Sequence, residues 1–281
     1  MSARGFRAMR PDDIDAVVAI VAEFDAEDGE AAAADFAGDG VDGHVVLTLG
    51  DDDAPRGVAG YRHVPATERT SWLSWTCLAG AQRGLGHGRP LLEHTLERLR
   101  QAGCRKAFVK VSDYADPEEG PLYAAATAIY ERLGFVRELT AEDFHDAGEN
   151  LSILGRSFEE AGGPAPEGDV ADEAAALEFV AVHEIADTDG AYSFEWTVPR
   201  RSLFGRRVGK GGGFDREDLV LGLESVKRAG GRRVFLTFPS NLPSIHAPLD
   251  AAGFRPIGRL ADYYEPGLHE LHFSHDLSGI G

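Results

Sequence analysis

Arg83-Gly84-Leu85-Gly86-His87-Gly88 sets a permanent cation and three glycines immediately ahead of a helical pattern. A glycine-rich turn that opens a helix presents bare backbone N–H groups and the positive end of the helix dipole to one point, which suits a phosphate or pyrophosphate. Side chains at Gly86 and Gly88 would stand between those amides and the anion. Arg83 and, less directly, Arg89 could add a fork of donors. The dinucleotide fingerprint G-x-G-x-x-G is absent, and so is the Gly-Lys-Ser/Thr of a Walker loop.

Two elements must hold this turn. Ser71–Cys77 before it carries the aromatic and β-branched residues that strands favour and reads as a strand. After it Leu91, Leu92, Leu96 and Leu99 keep a helical period, predicting a helix over Leu91–Gln101, with Gly103 as its stop.

Composition narrows the classes. The chain has 281 residues, enough for one large or two ordinary domains. A formal net charge of −19 argues against nonspecific nucleic-acid binding, which needs a basic footprint. No apolar run is long enough to span a bilayer, and residues 1–13 lack the apolar core of a signal peptide, so a cytoplasmic protein without a membrane partner is expected. Cys77 and Cys104 are the only cysteines and imply no disulfide framework.

The remaining order is strand Gly5–Arg10, a helix after Pro11-Asp12-Asp13, and an acidic alanine-rich stretch Ala26–Asp42 that fits either a second helix or a loop. Strands are expected at His44–Leu49, Gly57–Val64, Lys106–Ser112 and Asn150–Ser157, with a helix at Leu122–Leu133. The predicted fold class is α/β, an α+β mixed sheet.

This order resembles the GCN5-related N-acetyltransferase (GNAT) fold. Arg83–Gly88 fits that family's acyl-CoA pyrophosphate pattern, [Q/R]-x-x-G-x-[G/A]. Gly103-x-Arg105-Lys106, Tyr130-Glu131-Arg132-Leu133-Gly134-Phe135 and Asp143–Gly148 follow in the family's order, so the resemblance covers most of residues 1–158. Residues 159–173, of Gly, Pro, Ala and acids, read as a linker.

Residues 174–281 repeat the pattern. Arg206–Gly211, Arg232–Phe238, Gly253-Phe254 and Asp262–Gly267 match the first half at offsets of 123, 127, 119 and 119 residues. The chain thus resembles a tandem GNAT protein: an N-terminal domain 1–158, a linker, and a shorter GNAT-like domain 174–281 without the first strand and helix. Leu249 stands where the first copy has Tyr130, Gly212 and Gly213 lengthen the second loop, and a non-catalytic second copy is expected.

The resemblance implies N-acetyl transfer from acetyl-CoA to a primary amine by direct attack in a ternary complex. The strand before the loop would splay and pair its backbone, around Trp75, Thr76 and Cys77, with pantetheine. Arg83, Gly84, Leu85, Gly86, His87, Gly88 and Arg89 would hold the pyrophosphate. Tyr130, four residues before Gly134, falls where the family carries the tyrosine that protonates the leaving thiolate; Tyr123 is the backup. Asp113 is the best carboxylate for a base, ahead of His63 and Glu68. Cys77 reads as a small buried hydrophobe rather than a nucleophile. No metal is expected, because His269, His272 and His275 on one strand cannot converge. The acceptor could be a small molecule or a peptide amine. Two alternatives remain open: a carrier-protein phosphopantetheine donor, and an acyl-CoA sensor or scaffold without catalysis.

Overall fold

The computed structural model describes residues 3–117, 120–158, 177–197 and 214–278. Residues 159–173 and the second glycine loop, Arg206–Gly213, lie outside the described residues. The chain folds as two compact units. The first comprises Met1–Val109, Ala125–Val136 and Gly155–Glu160; the second comprises Lys110–Ala124, Arg137–Leu154 and Ala161–Gly281.

The first unit holds β1 (Arg4–Ala8), α1 (Ile14–Ala22), α2 (Ala26–Asp39), β2 (Val45–Leu49), β3 (Asp52–His63), β4 (Thr70–Leu78), α3 (Gly88–Gln101), the start of β5 (Lys106–Ser112) and most of α4 (Ala124–Arg132). Strands β1 to β4 run as an antiparallel meander, and β5 then joins β4 in parallel. A parallel partner needs a crossover, and α3 supplies it.

Helix α3 forms because Leu91, Leu92, Leu96 and Leu99 fall on one face, and all four are buried. It begins three residues earlier than the leucine period predicts. Pro90 lies in its first turn, where a missing N–H costs nothing. Gly103, at φ +78, turns the chain out of it. The ambiguous stretch after α1 is helical: Asp25 caps α2 by accepting from the Glu27 N–H at 2.7 Å. Phe36 and Ala32 of α2 then pack with Val17, Val21, Val46 and Val58.

The second unit holds β6 (Ala115–Asp116), β7 (Gly120–Pro121), β8 (Val136–Asp146), β9 (Glu149–Ser157), β10 (Glu178–Glu184), β11 (Ala191–Thr197), α5 (Arg216–Arg228), β12 (Arg233–Pro239), α6 (His246–Ala251), β13 (Arg255–Glu265) and β14 (Leu268–Asp276). Its core gathers Leu219, Leu223 and Val226 of α5, Leu249 of α6, Val234, Leu236 and Phe238 of β12, and Phe273 of β14. Here β8 pairs with β13 through Leu139 and Gly258. Gly258 has no side chain because a Cβ would lie 2.6 Å from that of Leu139.

The internal repeat is legible bond by bond. The Gly148 N–H reaches the Asp143 carboxylate at 2.8 Å, and the Gly267 N–H reaches that of Asp262 at 2.8 Å. Both aspartates sit at positive φ, +52 and +54. Phe135 N–H bonds the Tyr130 carbonyl as Phe254 N–H bonds that of Leu249, each at 2.9–3.0 Å. Asp113 N–H bonds the Asn150 carbonyl as Ser240 N–H bonds that of His269. Thus β10, β11, α5, β12, α6, β13 and β14 repeat β3, β4, α3, β5, α4, β8 and β9. Among the described residues the second copy has no counterpart of β1, α1, α2 and β2.

Candidate active site

Strand β4 organises the site. It pairs with β3 along nearly its whole length but with β5 only from Thr70 to Trp72. Among the described residues β4 has no pairing on that side from Leu73 to Leu78. An unpaired strand edge is a template for another extended chain. That edge is irregular. Val58 pairs with Cys77 and Gly60 with Ser74, so one extra residue sits on β4 around Trp75 and Thr76. Such a bulge bends the strand and re-aims its side chains.

Buried groups brace the bulge from below. His44, 1% exposed, places Nε2 3.1 Å from Ser74 Oγ, and burial holds its imidazole below the usual histidine range. Gly60 makes room for that ring, since a Cβ there would lie 2.0 Å from it. Trp75 donates its indole N–H to Asp35 of α2 at 3.0 Å. Thr76 donates its hydroxyl to the Ser74 carbonyl at 2.9 Å.

Tyr130 comes to the same place from α4. Its side chain is 5% exposed, stacks edge-on against Phe135 at 5.6 Å, and hydrogen-bonds the Thr76 side chain. Burial pushes the phenol up to about 12, with the neighbouring Cys77 adding to the rise. A phenol in that state is a proton donor at any ordinary pH. Burial also pushes the Cys77 thiol up to about 11. It is therefore protonated and a poor nucleophile, as a strand-core cysteine should be.

The loop lies between β4 and α3. Gly84 and Gly86 have φ of +73 and +78, a conformation that only glycine adopts freely, and a Cβ on either would meet no atom within 4 Å. The space over them is open, and Leu85 between them is 58% exposed. Gly88 differs from the sequence expectation. Its Cβ would point at Ile129 and Leu78, 3.6 and 3.7 Å away, rather than over the helix amides. A methyl fits there at ordinary contact distance, so Gly88→Ala is expected to retain acetyl-CoA binding within about threefold. It should also stabilise the chain by about 0.5 kcal/mol, since alanine favours the first helical turn over glycine. Calorimetric titration and a melting curve check both.

His87 is 6% exposed, and its Nδ1 has no partner in the protein, so a buried polar atom at the mouth of α3 is left unpaired. An orphan of this kind is costly unless something outside the chain satisfies it. Arg83 folds back onto its own strand: Nε donates to the Leu78 carbonyl at 2.9 Å and the guanidinium caps the Phe24 ring at 5.2 Å. Arg89 pairs with Glu93 at 2.8 Å on the exposed side of α3. Neither arginine is turned toward the loop amides.

Asp113 lies in the other unit. Both of its oxygens hold Asn150: Oδ1 accepts from the backbone N–H at 2.7 Å and Oδ2 from the side-chain amide at 2.6 Å. The second copy repeats the clasp, with Ser240 Oγ accepting from the His269 N–H at 3.0 Å. A contact that recurs in the copy without the tyrosine belongs to the fold. The other base candidates are also engaged: His63 Nδ1 is 2.8 Å from Ser71 Oγ, and Glu68 pairs with Arg69 at 3.4 Å.

The three histidines of β14 have separate surroundings. His269 Nδ1 accepts from the Asp262 N–H, His272 pairs with Glu270, and His275 lies against Phe254. Among the described residues no group of three or more His, Cys, Asp or Glu is placed to hold a metal ion. No described helix is long and apolar enough to cross a membrane.

Thr76, Ser74 and His44 belong to the site, yet sequence reasoning named only the backbone of Thr76. The signal that could have found Ser74 and Thr76 is their i, i+2 polar spacing on either side of Trp75.

Residues 18–135 match the model of the Acetyltransferase (GNAT) family. Among solved structures, a GNAT-family protein of Desulfovibrio desulfuricans is similar at 29% identity, covering 55% of this chain and 99% of its own, with a TM-score of 0.48. The ribosomal-protein-S18-alanine N-acetyltransferase of Escherichia coli matches at 20% identity over 58% of this chain and 99% of its own, TM-score 0.45. The yncA protein of Salmonella typhimurium, with its cofactor acetyl-CoA, matches at 16% identity over 59% of this chain and 99% of its own, TM-score 0.46. No curated protein matches the sequence. The glycine loop and the unpaired β4 edge both fall within residues 18–135, the part of the chain that matches the GNAT acetyltransferase family.

Proposed function

We propose that this domain transfers an acetyl group from acetyl-CoA to a primary amine by direct attack in a ternary complex. The observation that carries the reading is a buried phenol, Tyr130, set against the bulge of an unpaired strand edge beside an open glycine loop. The edge from Leu73 to Leu78 would take the pantetheine arm as an added strand. Gly84 to Gly88 and the first turn of α3 would take the pyrophosphate, with His87 Nδ1 as a further donor. Only Cys77 and Leu78 follow the bulge before β4 ends, so one extended ligand would touch both bulge and loop.

The chemistry needs a neutral amine, a positioned thioester and a proton for the departing sulfur. Tyr130 supplies the proton. Asp113 serves as a clasp on Asn150, and the amine loses its proton to water. Asp113→Asn tests that division: a clasp lost should lower the melting temperature, by about 1 kcal/mol of stability, while kcat holds within about threefold. A large loss of kcat at unchanged melting temperature would return Asp113 to the role of base.

The second copy, with Leu249 buried at the phenol's position, is non-catalytic in this reading. Release of free thiol from acetyl-CoA over a panel of small-molecule and peptide amines tests the whole. Tight binding with no release for any amine would make the protein an acyl-CoA sensor; release only from an acylated carrier protein would make that the donor.

A further inference from the structure

We infer that Thr76 is the positioning residue for the acid: its hydroxyl oxygen accepts the Tyr130 O–H hydrogen bond in the resting enzyme, and its hydroxyl donates one to the phenolate once the tyrosine proton has gone to sulfur. This rests on Tyr130 being the acid proposed above. The argument begins with a count of protons. Thr76 Oγ1 lies 2.9 Å from the Ser74 carbonyl oxygen, which can only accept, so the single hydroxyl proton of Thr76 is committed there. The same oxygen is hydrogen-bonded to the Tyr130 phenol. With the threonine proton already donated, the phenol must be the donor. Tyr130 is thereby held in one sense, as a donor pointing at the β4 edge, and at 5% exposure little water is near to offer another partner.

The bulge makes this placement. In an unbroken strand, side chains alternate from face to face. The extra residue of β4 falls between Ser74 and Cys77 and resets the alternation at the point where Thr76 meets α4. His44 against Ser74 Oγ and Trp75 against Asp35 fix it on either side.

The step balances as follows. The amine lone pair adds to the thioester carbonyl carbon, the C–S bond breaks with its electron pair on sulfur, and the nitrogen gives up one proton to water as the amide forms. The Tyr130 O–H bond breaks, and its proton goes to sulfur, leaving a phenolate. Thr76 then turns its hydroxyl from the Ser74 carbonyl to the phenolate, so a charge born in a buried site meets a donor already in place. The phenol is restored by a proton from solvent after the thiol departs.

Thr76→Val removes the hydroxyl at nearly constant shape. It is expected to lower kcat about tenfold, the scale of one lost hydrogen bond. The KM for acetyl-CoA should stay within about twofold, and the solvent isotope effect on kcat should rise as proton delivery slows. Thr76→Ser should recover most of that loss. In a Tyr130→Phe background Thr76→Val should have almost no further effect, since the pair acts as a unit. Equal loss in Thr76→Ser and Thr76→Val, or full additivity with Tyr130→Phe, would overturn the inference while leaving Tyr130 as acid. An undiminished kcat in Tyr130→Phe alone would instead overturn the acid assignment. If Thr76→Val does not fold, Thr76→Ala takes its place in the same cycle.

Discussion

Tyr130→Phe is expected to lower kcat by about two to three orders of magnitude, within the range for loss of a positioned general acid, with acetyl-CoA affinity nearly unchanged. The split follows from the position of the hydroxyl. The ring remains packed against Phe135, and only the atom facing Thr76 is lost. Steady-state kinetics beside a calorimetric titration separate the two quantities, and an unaltered kcat would sink the assignment. The same phenol predicts a pH signature. Because burial pushes it up to about 12, it stays protonated through the working range and contributes no alkaline limb to the rate below about pH 10. The sign for stability runs the other way from a carboxylate. An unfolded tyrosine releases its proton near pH 10 and the folded one near 12, so the native state loses stability as pH rises between these values. The loss is about 3 kcal/mol at most. Equilibrium unfolding at rising pH should show a decline smaller by that amount in Tyr130→Phe than in the native protein, the Tyr264 phenol and the Cys77 thiol, both pushed up by burial, supplying what remains.

Gly86→Glu should weaken acetyl-CoA binding by about a hundredfold or more. Two effects add. A φ of +78 is strained for any residue with a Cβ, by about 1–2 kcal/mol. The new carboxylate would also stand in the open space over the loop, where no protein atom lies within 4 Å of the Cβ, and would repel a phosphate there. Gly86→Ala isolates the first effect and should cost about tenfold. Because the glutamate clashes with nothing in the protein, the fold should survive, and a melting curve confirms that binding alone is lost. Binding that persists in Gly86→Glu would exclude the loop as the pyrophosphate site and favour a donor without the adenosine diphosphate. A count of one site, lost in Gly86→Glu but not in Gly209→Glu, would leave the second copy without a functional loop.

The loop, the strand before it and the leucine face of α3 were legible in the sequence because each is local. Glycines, a strand and a helical period stand next to one another, and local physics decides their form. The repeat was legible because its landmarks keep their offsets. The sequence did not resolve α2, whose alanines and acids carry little periodic apolar signal; Phe36 and Ala32 acquire a partner only once Val46 and Val58 are beside them. It also missed where Gly88 faces, since that depends on Ile129 of α4, far along the chain. Asp113 looked like a free carboxylate for the same reason: Asn150, which occupies both its oxygens, lies 37 residues away. The role of Thr76 depends on a strand irregularity that no composition or periodicity encodes.

On the proposed reading of the second copy as non-catalytic, that irregularity bears on what activity there would require. Register alignment gives Trp196 and Thr197 of β11 the positions of Trp75 and Thr76, so both residue types are kept in the sequence. The extra residue, however, has changed strands. In the second copy Phe179 faces Trp196 and Ala181 faces Glu195, which puts the inserted residue, Val180, on β10, where it is 50% exposed. Leu249→Tyr by itself would bring a hydroxyl to an edge with the opposite phase. Restoring the first copy's geometry would need one residue removed from β10 and one added to β11 together with the new phenol. On that reading none of these changes helps without the others, so point substitution alone offers no gradual route to the first copy's geometry.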